Sequence, residues 1–145
     1  MSKNSAKVVG LVLLIAVLLV AIGYAAITTV QLRINGNANA TANQDNFTVR
    51  FSGTPTVSDA DKVDATLNPA DQLKATMNVS KLSAKGDTAT ATYTIENTSA
   101  DLSAVLSATT TNSNTEYFKV TQNIAKATIG HGETTTITVT VELIK

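Results

Sequence analysis

The chain predicts an all-β protein, an antiparallel β-sandwich preceded by an N-terminal hydrophobic helix, and three observations predict it. Apolar and polar residues alternate at period two in stretch after stretch of the sequence. Asn, Gly, Pro and Asp recur between those stretches at intervals of roughly ten residues, the punctuation of short antiparallel strands. Threonine, whose branched Cβ suits a pleated surface, dominates together with Ala, Asn and Ser after residue 35, while aromatic residues make up only 4% and tryptophan is absent.

The first element stands outside the sandwich. Met1 to Lys7 carries two lysines and no acid, and Val8 to Ile22 (VVGLVLLIAVLLVAI) is unbroken apolar sequence. A short basic stretch, an apolar core and then small residues form the layout of a secretory signal peptide. Gly23-Tyr24-Ala25 supplies the small-x-small site, which puts the cut between Ala25 and Ala26. A retained transmembrane helix is the competing reading, since continuing through Ile27 gives about twenty apolar residues. Length and the small residues favour cleavage. In both cases the lysines stay on the cytoplasmic side and the rest is exported. Residues 1–25 are thus a signal peptide or membrane helix, and 26–145 a single domain long enough for one core.

From Ile27 the period changes to two. Val30, Leu32 and Ile34 share one side and Gln31 and Arg33 the other, with Asn35-Gly36 predicting the end of the strand. Phe47, Val49 and Phe51 alternate with Thr48, Arg50 and Ser52 until Gly53-Thr54-Pro55 breaks the pattern. The polar segment from Val57 to Gln72, with Asp59, Asp61, Asp64 and Asp71, reads as a long connection or a short helix capped by Ser58 or Asp59. Leu73, Ala75, Met77 and Val79 make a third strand. In DTATATYTIENTS, Ala89, Ala91, Tyr93 and Ile95 oppose a row of threonines, and Asn-Thr-Ser predicts a tight turn. DLSAVLSATT and EYFKVTQN show apolar residues at strand spacing, and the chain closes on Ile137, Val139, Val141 and Leu143 set against Thr136, Thr138 and Thr140. Jelly-roll and immunoglobulin-like connectivities both fit this list.

Composition narrows the function. Once Lys3 and Lys7 are set aside, nine basic residues remain against eleven acidic ones, scattered singly and without aromatic interleaving, which argues against nucleic acid as a partner. With no cysteine there is neither a disulfide nor a thiolate nucleophile. His131, the sole histidine, sits in Ile-Gly-His-Gly-Glu and reads as a solvated turn residue flanked by glycines that supply positive φ. Asp59, Asp61 and Asp64 have oxygen-ligand spacing but lack the glycine and distal glutamate of a calcium loop, so a solvated acidic loop is the better reading. No catalytic, cofactor-binding or metal site is therefore expected, and the chain is read as no enzyme. Asn39, Asn46, Asn78 and Asn97 begin Asn-x-Ser/Thr sequons, which matter only if the source glycosylates its surface proteins.

The run from the basic-apolar segment through GYAAITTVQLRINGNANATANQDNFTVRFSG resembles exported Gram-positive proteins in which a SipW-type signal peptide precedes a strand, an Asn/Gly-rich turn and an aromatic-containing strand. These are the TasA and camelysin group of biofilm-matrix fibre subunits. The resemblance covers residues 7–53 at the level of pattern, and beyond them only a Thr-rich sandwich. It implies an extracellular, jelly-roll-like subunit that polymerises when a freed N-terminal strand inserts into the next copy. The metallopeptidase label borne by some members does not carry over, because this chain has one histidine and no metal-binding helix motif.

Strand donation also has a physical case. A cut after Ala25 would leave Ile27 to Ile34 at a free terminus, with Val30, Leu32 and Ile34 needing burial that a neighbour's sheet can supply. Packing as an edge strand of its own domain is the equal alternative. The chain is thus expected to be a secreted structural subunit of a filament or biofilm matrix, its partners copies of itself or related surface subunits. The alternative is a cell-surface binding or adhesion domain anchored in the membrane through residues 8–27.

Overall fold

The computed structural model describes residues 28–38 and 48–145. The expected N-terminal helix, Ala25, Ala26, Asn39, Asn46 and Phe47 lie outside the described residues. Nine strands follow in order: β1 (Thr28–Ala38), β2 (Val49–Val57), β3 (Val63–Leu67), β4 (Lys74–Val79), β5 (Thr88–Asn97), β6 (Ala104–Asn112), β7 (Phe118–Ile124), β8 (Thr128–Ile129) and β9 (Thr134–Leu143). Among the described residues there is no helix, and none long and apolar enough to cross a membrane.

All pairings are antiparallel and form two sheets, one in the order β3-β4-β1-β6-β8 and the other β2-β5-β9-β7. Only β3 and β4 are neighbours both in sequence and in a sheet; every other connection crosses from one sheet to the other. The inner faces meet in one core. Leu32, Met77, Tyr93, Ile95, Ile129 and Ile137 are among its fully buried members.

Alternation explains which face goes in. On β5 and β9 burial switches at every residue, with Ala89, Ala91, Tyr93 and Ile95 inward and the threonines outward except Thr135, which is buried. Across the ladder Ala89 pairs with Val141 and Ala91 with Val139, so small side chains lie beside larger ones and the layer fills evenly. Tyr93 supplies the largest inward volume, tilts against Phe51 at 5.7 Å between ring centres, and donates its hydroxyl to the Thr76 carbonyl at 3.1 Å. That bond links the two sheets, because Thr76 lies on β4 and Tyr93 on β5. Outward, Thr92 and Thr138 share a hydroxyl bond of 3.1 Å, and Arg50 pairs with Glu96 at 3.2 Å.

Four local expectations need correction. Asn35-Gly36 does not end β1, which runs on to Ala38 because β6 offers partners for it: Asn35 lies opposite Ser107 and Gly36 opposite Leu106. Residues 57–72 hold no helix. The Asp59 carbonyl accepts from the Lys62 and Val63 amides in a turn, and Val63, Ala65 and Leu67 then form β3 against β4. Gly53-Thr54-Pro55 is a bulge inside β2, with Gly53 at φ 68° and a register shift between Ser52 and Thr56. Of the two glycines around His131, only Gly132 has positive φ, at 71°.

Candidate assembly strand and its slot

β1 occupies the interior of its sheet. Thr28 to Arg33 pair with Val79 to Lys74 of β4 on one side, and Val30 to Ala38 pair with Asn112 to Ala104 of β6 on the other. The expected alternative to donation was an edge strand in its own domain; here β1 lies in its own domain, at the sheet's centre. Val30, Leu32 and Ile34 point inward, Val30 and Ile34 at 0% exposure and Leu32 at 1%. The Ile34 amide also donates to the Leu73 carbonyl at 3.1 Å.

This placement makes β1 the keystone of its sheet. Among the described residues no other strand joins β4 to β6, so without β1 the sheet divides into a β3-β4 hairpin and a β6-β8 pair. The slot left behind would carry two rows of unpaired backbone groups and an apolar floor, both of which cost free energy until a strand of matching pattern fills it. Val30, Leu32 and Ile34, singled out by alternation alone, are the side chains that meet that floor.

On the outer face the same strand carries Gln31 and Arg33. With Lys74, Thr76, Thr109 and Thr111 they line a shallow polar cavity of about 210 Å³. Lys74 is ion-paired to Asp71 at 2.9 Å. That bond, followed by the Leu73 amide, holds the Asp71 carboxyl below the usual carboxylate range.

The remaining singled-out residues are structural or exposed. Asp59 accepts from the Asp61 amide at 3.0 Å and pairs with Lys62 at 3.7 Å, and among the described residues no group of three His, Cys, Asp or Glu could hold a metal. The exposed His131 sets Nδ1 against the Ser99 carbonyl. Asn97 is fully buried, with Nδ2 at 2.7 Å from the Leu102 carbonyl, 3.2 Å from Ile129 and 3.1 Å from Gly130, while Oδ1 accepts from the Ser99 amide. Its amide nitrogen is where a sugar would attach, so the folded domain closes this sequon. Asn78 is exposed on β4.

Pattern reading passed over Asn97 as more than a turn residue. The signal available was its position: it continues the inward series Ala89, Ala91, Tyr93, Ile95 by one more step. No protein-family model, no curated protein and no solved structure matches this chain.

Proposed function

We propose that this protein is a secreted, non-enzymatic structural subunit of an extracellular filament or biofilm matrix, akin to the TasA and camelysin group, assembling by donation of β1 from one copy to the next. The observation that carries the reading is the keystone position of β1. It completes two ladders and the core at once, and it belongs to a segment that a cut after Ala25 would leave at the amino terminus. A donated strand needs a slot flanked by acceptors on both sides, and β4 and β6 flank this one. Head-to-tail donation does not close on itself and therefore propagates a filament. The repeated crossing between sheets supports a jelly-roll-type connectivity over the immunoglobulin type, which contains several in-sheet hairpins.

A second reading keeps residues 8–27 as a membrane helix and displays the sandwich as a binding or adhesion domain at the cell surface. The in-place β1, which completes the domain without a neighbour, favours it.

N-terminal sequencing and intact mass of the protein recovered from outside its native cells, with electron microscopy of the same sample, separate the two. A start at Ala26 or Ile27 together with thin filaments supports donation. A start at Met1 or Ser2 in the membrane fraction without filaments supports the anchored domain.

A further inference from the structure

Register sets two short rows of side chains across the outer face of the sheet at β1. Arg33 lies between Lys74 of β4 and Thr109 of β6, and Gln31 lies between Thr76 of β4 and Thr111 of β6. Asn68, from the turn between β3 and β4, adds a wall, and together they line the polar cavity of about 210 Å³. That is smaller than the roughly 300–1,000 Å³ of sites for drug-sized molecules and suits a ligand the size of one sugar ring.

The cavity is rich in donors, and its charge is unbalanced. Arg33 and Lys74 are cations placed directly opposite each other, an arrangement that destabilises a ladder unless an anion neutralises it. Asp71 pairs with Lys74 at 2.9 Å. Arg33 acts on the Asp71 carboxyl only through space, and among the described residues its guanidinium has neither an ion pair nor a hydrogen bond. Two cations against one carboxylate leave a surplus of one positive charge. The side chains of Gln31, Thr109 and Thr111 likewise have no hydrogen-bond partner among the described residues. Asn68 uses its Oδ1 to hold the Ala70 and Asp71 amides and keeps its Nδ2 to donate.

We propose that this cavity binds a hydroxylated monocarboxylate, a hexuronic acid, with the carboxylate on the Arg33 fork and the ring hydroxyls on Gln31, Asn68, Thr109 and Thr111. A guanidinium offers two parallel N–H donors that match the two oxygens of a carboxylate. One surplus charge suits a carboxylate better than a doubly charged phosphate. The amides and hydroxyls around it both donate and accept, as sugar hydroxyls require. Three strands supply the site, so it exists only while β1 sits between β4 and β6, and bound ligand stabilises that sheet by mass action. It works in the same way whether β1 comes from its own chain or from a neighbour, so it stands or falls separately from strand donation.

Amide NMR of the full chain in detergent micelles, titrated with sodium glucuronate at constant ionic strength, tests this. The amides of Gln31, Arg33, Lys74 and Thr109 are expected to shift together and saturate, with a Kd on the order of 1 mM for so shallow a site. Glucose keeps the ring without the charge and acetate the charge without the ring, and each should bind at least about fivefold more weakly, as should inorganic phosphate. Arg33→Gln should weaken glucuronate about tenfold or more while leaving the spectrum away from the cavity unchanged. A glucuronate trimer distinguishes the sources of the ligand: it binds as tightly as the monomer where the natural ligand is a unit of a polysaccharide, and is shut out where it is the free acid. The absence of a saturable shift, shifts scattered over the surface, glucose, acetate or phosphate binding as tightly as glucuronate, or an Arg33→Gln variant that binds like the wild type would overturn the proposal, whatever the filament experiment shows.

Discussion

A single buried amide does much of the work at one end of the sandwich. Asn97 ties the end of β5 to the Leu102 segment and to the β8–β9 turn through three carbonyls. Replacing it with Ala leaves those carbonyls without their side-chain donor in a dry site, and the expected loss is ~2–3 kcal/mol in urea unfolding. The same experiment on Asn78→Ala, an exposed position, serves as the comparison and should show a smaller loss. Tyr93 is the second such residue. Burial, then the charge of Asp64, push its hydroxyl above the usual tyrosine range, so the folded state holds the proton more tightly than the unfolded chain does. Stability should therefore fall as pH rises above about 10, where the unfolded tyrosine ionises. Tyr93→Phe removes this residue's share of that alkaline loss and, at neutral pH, gives up the bond to Thr76 at a cost of ~1 kcal/mol.

At the scale of the element, β1 can be tested as a filler of its slot. Leu32→Ala removes buried methyl groups from the centre of the sheet and should cost ~2–5 kcal/mol, read as a lowered denaturant midpoint. If the filament reading holds, the same change shortens or abolishes filaments, while Gln31→Ala on the outer face leaves them intact. β1 also shows how far pattern goes. Its inward triad follows from period two, but its two-residue extension past Gly36 does not, because Asn-Gly is a turn signal locally and a pairing partner for β6 globally. β3 was legible in part, since Val63, Ala65 and Leu67 alternate; Asp64 and the surrounding acids masked a strand that only the β4 ladder stabilises. β8, at two residues, is shorter than any period that could reveal it.

For the whole molecule, three surface carboxylates set the acid limit. Asp71 is held low by Lys74 and the Leu73 amide, Asp87 by the Ala84 and Ser83 amides, and Glu133 by Lys126 and the Gly130 amide. A depressed carboxylate contributes stability above its unfolded value and loses it as pH falls through its folded one. The urea midpoint should therefore hold near neutrality and decline below about pH 4. Asp87→Asn, which keeps an acceptor oxygen for the Ser83 and Ala84 amides but removes the titrating charge, should flatten that decline. The topology sets a kinetic expectation as well. With one in-sheet hairpin and every other pairing distant in sequence, refolding monitored by Tyr93 burial should take milliseconds to seconds rather than microseconds.

By itself the sequence determined that the domain is all-β, which face of β1, β4, β5 and β9 turns inward, and that threonine covers much of the outside. Side-chain period and composition are local properties, and burial of one face follows from them. Only the tertiary structure decided that β1 is a central strand rather than an edge, and that Asn97 is a buried hub rather than an open sugar site. Backbone N–H and C=O groups are the same at every residue, so the choice of which strand pairs with which is made by the fit of the whole core, and no single stretch of the chain contains it.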